Sequence, residues 1–104
     1  MPKSSAANNK VECINPNSGR IMQIDKAIWD LFSKAIKHSL KGEKELTYTQ
    51  MVEAVYDYLT SHQIDFKHSV EWYVVTIKND LQAKNMVTVF TVRGKKLHKW
   101  NAVQ

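Results

Sequence analysis

The side chains with the clearest chemistry lie in the last third of the chain, where cations occur without acids. From residue 81 to the C-terminus there are five Lys or Arg and no Asp or Glu: Lys84, Arg93, Lys95, Lys96 and Lys99. Arg93, Lys95 and Lys96 surround Gly94 in a predicted turn. Cations at the tip of a turn are suited to contact phosphate oxygens or a narrow minor groove. This segment therefore indicates an anionic partner.

The distribution of charge along the chain supports the same partner. Residues 25–62 contain five Lys and six Asp or Glu, whereas residues 63–104 contain seven Lys or Arg and three Asp or Glu. The excess behind the total charge of +5 thus lies mainly in the C-terminal part. A local positive field raises the concentration of anionic ligands near it.

Polar side chains that suit base recognition precede the basic turn. Residues 69–84 have a helical period, with Val70, Val74, Ile77 and Leu81 on the predicted buried stripe. Asn and Gln can bond adenine edges, Thr can contact a thymine methyl, and Lys can reach a phosphate. The outward face carries Trp72, Val75, Thr76, Asn79 and Ala83, with Lys78 and Gln82 beside them. The predicted nucleic-acid-binding residues are Trp72, Thr76, Lys78, Asn79, Gln82, Arg93, Lys95 and Lys96.

Three helices are predicted to position these side chains. The first begins at the N-cap Asp25 and carries apolar residues at helical spacing from Ile28 to Leu40. The second begins at Thr47, which forms a predicted capping box with Gln50, and runs to about residue 61. The third is the helix over residues 69–84, capped by Ser69.

Extended segments are predicted at both ends of the chain. Residues 11–14 are typical of a short strand, a turn follows at residues 15–19, and residues 20–24 are expected to be extended or irregular. Residues 86–100 predict a two-stranded hairpin whose turn is 93–96. Residues 1–10 are polar and predict a disordered tail, and residues 11–104 a single domain.

Three helices followed by a hairpin indicate an α+β winged helix-turn-helix, with a short N-terminal strand as an addition. In that fold the second and third helices form the helix-turn-helix, and the third enters the DNA major groove. The helix over 69–84 would then read the bases, and residues 93–96 would form a basic wing. We therefore expect duplex DNA as the partner.

Other chemistries find little support in the residue pattern. The histidines and the single cysteine, Cys13, lack metal-site spacing, and three scattered glycines form no phosphate loop. We therefore predict no metal, no cofactor, no small-molecule substrate and no enzyme. One cysteine, a polar N-terminus and no long apolar stretch indicate a cytoplasmic protein that does not enter a membrane.

Several segments resemble a family of small uncharacterised bacterial proteins. The resemblance covers most of residues 12–100 and is most specific in Ser-Val-x-Trp-Tyr-x-x-Thr-x-Lys-x-Asp-Leu, which begins at Ser69. Residues 15–20, 46–55 and 96–100 are similar too. Asn85 stands where the family pattern has Gly. The resemblance implies a winged-helix-like domain and provides no catalytic residue to carry over.

The apolar side chains on the third helix support an alternative. Trp72 and Val75 are bulky for a face that enters a groove and are more typical of a protein interface. Glu71 and Asp80 on the same helix are expected to weaken its positive field. The alternative is a protein-interaction or dimerisation module that uses the Trp72/Val75 face and binds no nucleic acid.

Overall fold

The structure, a computed structural model, describes residues 9–101 and has α+β architecture, which confirms the predicted class. In chain order the elements are β1 (Lys10–Ile14), β2 (Ile21–Asp25), α1 (Lys26–Ser39), α2 (Tyr48–Ser61), α3 (Val70–Ala83), β3 (Val87–Val92) and β4 (Lys95–Trp100). Residues 1–8 of the predicted tail lie outside the described residues, and Lys10, its last residue, begins β1. None of the helices in the described part of the chain has the length and apolar character needed to cross a bilayer.

The helices begin where the capping residues predict. Thr47 and Gln50 form the predicted capping box: the Gln50 amide donates to Thr47 Oγ1 at 3.2 Å, and the Thr47 amide donates to Gln50 Oε1 at 2.9 Å. Ser69 Oγ accepts from the Trp72 amide at 3.1 Å. Asp25 is the N-cap of α1, but its side chain makes no cap bond and instead accepts from Lys10 Nζ at 2.6 Å. Side-chain caps thus mark the starts of α2 and α3, whereas α1 begins at the predicted residue without a side-chain cap bond.

The core forms where the apolar stripes of the three helices meet. Fully buried side chains include Phe32 and Ile36 of α1, Met51 and Val55 of α2, and the predicted stripe of α3. Phe66, in the linker before α3, packs edge-to-face on Phe32 with ring centroids 4.9 Å apart. Each large apolar side chain buried in this way contributes about 1.5–3 kcal/mol to stability. The core therefore holds α3 firmly on one face and leaves its other faces for neighbouring elements.

The C-terminal hairpin has a tighter turn than predicted. Val92 pairs with Lys95, so the turn is Arg93-Gly94 alone. Both residues have positive φ, 52° and 82°, which is the type I′ geometry of a two-residue hairpin. The prediction that Lys95 and Lys96 lie in the turn was wrong. Because Arg93 adopts a left-handed conformation, the turn ends at Gly94, and Lys95 and Lys96 are the first two residues of β4. Since successive strand residues face opposite sides, Lys95 and Lys96 point to different faces of the hairpin.

A residue between α1 and α2 joins the C-terminal hairpin. Leu46 pairs with His98 of β4 in an antiparallel bridge. The Leu46 amide donates to the His98 carbonyl at 3.0 Å, and the His98 amide donates to the Leu46 carbonyl at 2.8 Å. The bridge lies directly before the cap of α2, so it attaches the hairpin to the start of that helix.

The N-terminal hairpin packs against α3 and α1. The predicted strand at residues 11–14 is confirmed as part of β1, and residues 20–24, expected to be extended or irregular, largely form β2. Cys13 of β1 and Ile24 of β2 are buried, with 3% and 5% exposure. The turn between the strands is held by Asn15, whose Oδ1 accepts from the Asn17 amide at 2.8 Å. β1 consequently lies along one side of α3.

Candidate nucleic-acid interface

The predicted reading face of α3 is less open than its sequence pattern suggests. Trp72 is exposed, at 40%, and packs edge-to-face on Tyr73 with ring centroids 4.8 Å apart. Thr76, Lys78, Asn79 and Gln82 are each half-buried. The reason is that α3 packs against β1 on one side and against β3 on the other, and these two hairpins partly cover the side chains of the helix.

Thr76 and Asn79 lie in a cleft between α3 and the N-terminal hairpin. The cleft has a volume of about 310 Å³, and its other lining residues are Cys13, Ile14, Asn15, Arg20, Ile21 and Met22. Arg20 and Asn15 are candidate binding residues that sequence reasoning missed. The turn chemistry of residues 15–19 was visible, but its position beside α3 depends on contacts between residues far apart in the chain.

Lys78 lies on the opposite flank of α3, next to the C-terminal hairpin. Burial lowers the pKa of Lys78, and repulsion from Lys96 of β4 lowers it further. Burial also lowers the pKa of His98. The hydrogen bond to the Leu46 carbonyl raises this pKa, and the charges of Lys78 and Lys96 lower it further. Two lysines from different elements therefore stand close enough to repel one another. An anion placed between them would relieve that repulsion.

The eight predicted residues separate into groups along α3 and the hairpin. Thr76 and Asn79 belong to the cleft, and Lys78 and Lys96 to the opposite flank. Gln82 follows Lys78 by one helical turn and so lies on its side of α3. Arg93 and Lys95 are exposed at the hairpin tip, and Trp72 is near the start of the helix. The charge of Lys96 acts on Lys78, and neither Arg93 nor Lys95 lines the cleft.

Asp80 has a structural position that the sequence reading missed. Its carboxylate is fully buried and accepts from the Ile14 amide at 3.0 Å, Trp29 Nε1 at 2.8 Å and Lys84 Nζ at 2.6 Å. The buried carboxylate pairs with Lys84 and cancels its charge, in agreement with the expectation that Asp80 weakens the positive field of α3. The available signal was its spacing, since Asp80 follows Ile77 by three residues on the buried stripe.

The cations of the C-terminal hairpin are not matched by acids. Within residues 9–101 the ion pairs join Lys10 to Asp25, Lys26 to Asp30, Lys67 to Asp65 and Lys84 to Asp80. None of them includes Lys78 or a residue of β3, β4 or their turn. The positive charge on this flank of α3 is therefore free to act on an external anion.

Residues that could support other chemistry are not arranged for it. Across the described range, no group of three or more His, Cys, Asp or Glu could hold a metal ion. Burial, with a smaller contribution from Asp80 and an opposing one from Lys84, raises the pKa of the Cys13 thiol to about 11. Since the thiolate is the reactive form, Cys13 is a poor nucleophile at neutral pH.

Comparison with known proteins yields one match. The model of a protein family described as a family of unknown function, DUF6958, matches residues 10–97, from the start of β1 into β4. No curated protein and no solved structure matches the chain. The matched residues include the N-terminal hairpin, the three helices α1 to α3, β3 and the first half of β4.

Proposed function

The chain belongs to the DUF6958 family, and we propose that it is a nucleic-acid-binding protein with a winged helix-turn-helix domain that binds duplex DNA. In this proposal α3, within the predicted reading helix 69–84, lies in the major groove. Residues 93–96 form the basic wing beside it. The role is that of a small transcriptional regulator or an accessory factor.

The arrangement of elements supports this proposal. α2 and α3 follow one another through a short linker, and the C-terminal hairpin contacts α3 through β3. The Leu46–His98 bridge ties the same hairpin to the start of α2. A wing attached to both helices is held in a defined position beside the reading helix, which a groove contact requires.

The observation that carries the proposal is that neither Lys78 of α3 nor Lys96 of the neighbouring hairpin belongs to an ion pair within residues 9–101, while the charge of Lys96 helps to lower the pKa of Lys78. Holding two like charges together costs free energy in the unbound protein. A backbone phosphate between them would supply the missing negative charge and release condensed counterions. Arg93 and Lys95 add exposed positive charge at the tip of the hairpin.

The test is a fluorescence-anisotropy titration of a labelled mixed-sequence duplex over a series of salt concentrations. Log K should fall linearly with log salt, with a slope of about 0.9 per phosphate contact. Lys95→Ala combined with Lys96→Ala should reduce that slope by about 1.8. Lys34→Ala combined with Lys41→Ala, which removes the same charge from exposed positions elsewhere, should change it much less. If the wild-type protein shows no salt-sensitive binding to any duplex or single strand, the proposal is wrong.

A second candidate function, a protein-interaction or dimerisation module, is favoured by exposed apolar side chains. Trp72 is 40% exposed, and Ile21 and Met22 of β2 are 58% and 45% exposed. Exposed aromatic and Met side chains are enriched in protein interfaces. Sedimentation should then reveal a self-associated species that Trp72→Ala disrupts. A strict monomer whose behaviour is the same in the variant would eliminate this candidate.

A further inference from the structure

α3 lies between two hairpins, and each hairpin holds a different flank of the helix. On one flank Asp80 accepts from the Ile14 amide of β1. Lys84, one turn further on, donates to the Glu12 carbonyl of β1 at 3.5 Å. Lys78 lies on the other flank, close to Lys96 of β4. Residues four apart on a helix share a side, so Thr76, Asp80 and Lys84 mark the flank next to β1.

The N-terminal hairpin carries its own cation to that flank. Arg20 is exposed and lines the cleft together with Thr76 and Asn79. Its backbone is held in the turn: the Arg20 amide donates to Ser18 Oγ at 3.2 Å, and its carbonyl accepts from the Asn15 amide at 2.9 Å. In the described range its side chain forms no ion pair and no hydrogen bond. The guanidinium is therefore available to an external anion from an ordered position.

A helix in the major groove meets phosphates on both of its flanks. The groove is about 12 Å wide, and a helix with its side chains is about 10–12 Å across, so each flank faces one sugar–phosphate strand. A wing on one flank can reach only one of these strands. A cation on the other flank is placed to meet the second strand. Guanidinium groups suit this role because they bind phosphate in a bidentate manner.

We propose that the β1–β2 hairpin is a second phosphate-binding element, and that Arg20 contacts the DNA strand opposite the one bound by the β3–β4 hairpin. This inference rests on the proposed function, since it requires α3 to bind duplex DNA. It adds a site outside the helix-turn-helix and wing, and it makes the protein a clamp on both strands.

The experiment extends the same titration to Arg20→Ala, Arg20→Lys and the charge-matched control Lys34→Ala. Arg20→Ala should reduce the salt slope by about 0.9 and weaken duplex binding about eightfold at about 0.1 M salt. Arg20→Lys should restore the slope because it keeps the charge. Adding Arg20→Ala to the Lys95→Ala/Lys96→Ala variant should give additive losses, since the sites lie on opposite flanks. Circular dichroism should show an unchanged fold in each variant.

The outcomes separate this inference from the proposed function. Suppose that the wild type and the Lys95→Ala/Lys96→Ala variant bind duplex DNA as proposed, but that Arg20→Ala has the same duplex affinity and salt slope as Lys34→Ala. The second phosphate-binding element then does not exist, and the proposed function stands. If Arg20→Ala weakens a single strand as much as the duplex, the two-strand clamp is wrong. If the wild type binds no nucleic acid in a salt-sensitive way, both the inference and the proposed function fall.

Discussion

Replacing Asp80 with Ala should destabilise the protein by about 2–4 kcal/mol, because each donor left without a partner costs about 1–3 kcal/mol when buried. The change removes the acceptor from the Trp29 indole N–H and from the Ile14 amide, both only partly shielded from water. It also leaves Lys84 unpaired, but that side chain is 37% exposed and can be solvated, so its contribution is small. The expected loss of stability in Asp80→Ala is therefore smaller than the loss caused by leaving a fully buried charge without a partner.

Urea unfolding followed by Trp fluorescence measures this loss, and Trp29 reports directly from the affected site. With a urea m-value of about 1.5 kcal/mol per M, the midpoint should fall by about 1.3–2.7 M. Asp57→Ala is the matched control, since Asp57 is an exposed carboxylate on α2 and should change stability by less than about 0.5 kcal/mol. If Asp80→Ala differs from this control by less than about 0.5 kcal/mol, the assignment of Asp80 as a structural anchor is refuted.

Three other predictions concern the hairpins and the core. The pKa of His98 lies below its ordinary 6.5 in the folded protein. The contribution of neutral His98 to the free energy of unfolding should therefore be complete above pH 6.5 and decline as the pH falls through the folded pKa. If the free energy of unfolding of His98→Gln had the same pH dependence as that of the wild type, this prediction would be wrong. Gly94→Ala should lower the free energy of unfolding, measured by thermal unfolding, by about 1–2 kcal/mol, because φ at Gly94 is 82° and an L side chain is strained there. No neighbouring atom lies within 4 Å of an added Cβ, so backbone strain is the whole of this loss. Cys13 should react with a thiol reagent at pH 8 far more slowly in the folded protein than in urea, and rapid reaction of the native state would show that the thiol is accessible.

The helices could be predicted from the sequence because their signals are local. Thr47 and Gln50, three positions apart in one capping box, define a helix start without any distant contact. The spacing of Val70, Val74, Ile77 and Leu81 likewise identifies the buried side of α3. Asn85, which follows the helix, has φ 64°, the left-handed conformation typical of a residue that ends a helix. Each of these features depends on residues within one or two turns.

The surroundings of the candidate site could not be predicted in the same way. The Leu46–His98 bridge joins residues 52 apart, and the Asp80–Trp29 bond joins residues 51 apart, so neither has a periodic signal. The position of Arg20 beside Asn79 has the same origin, since it follows from how β1 packs on α3. Sequence reasoning therefore predicted α3, the C-terminal hairpin and the strand at residues 11–14 as elements, but not that the N-terminal hairpin packs on the other flank of α3.

β1 is also an edge strand whose outer side is covered by side chains. In the described part of the chain it pairs with β2 alone, while the Ile14 amide and the Glu12 carbonyl on its other side are bonded by Asp80 and Lys84. A bare strand edge is a template on which another polypeptide can add by backbone hydrogen bonding, and apolar residues such as Ile14 and Ile21 favour such addition. The Asp80–Lys84 pair thereby covers this edge of β1, and we expect variants that lose it to precipitate at concentrations at which the wild type remains clear.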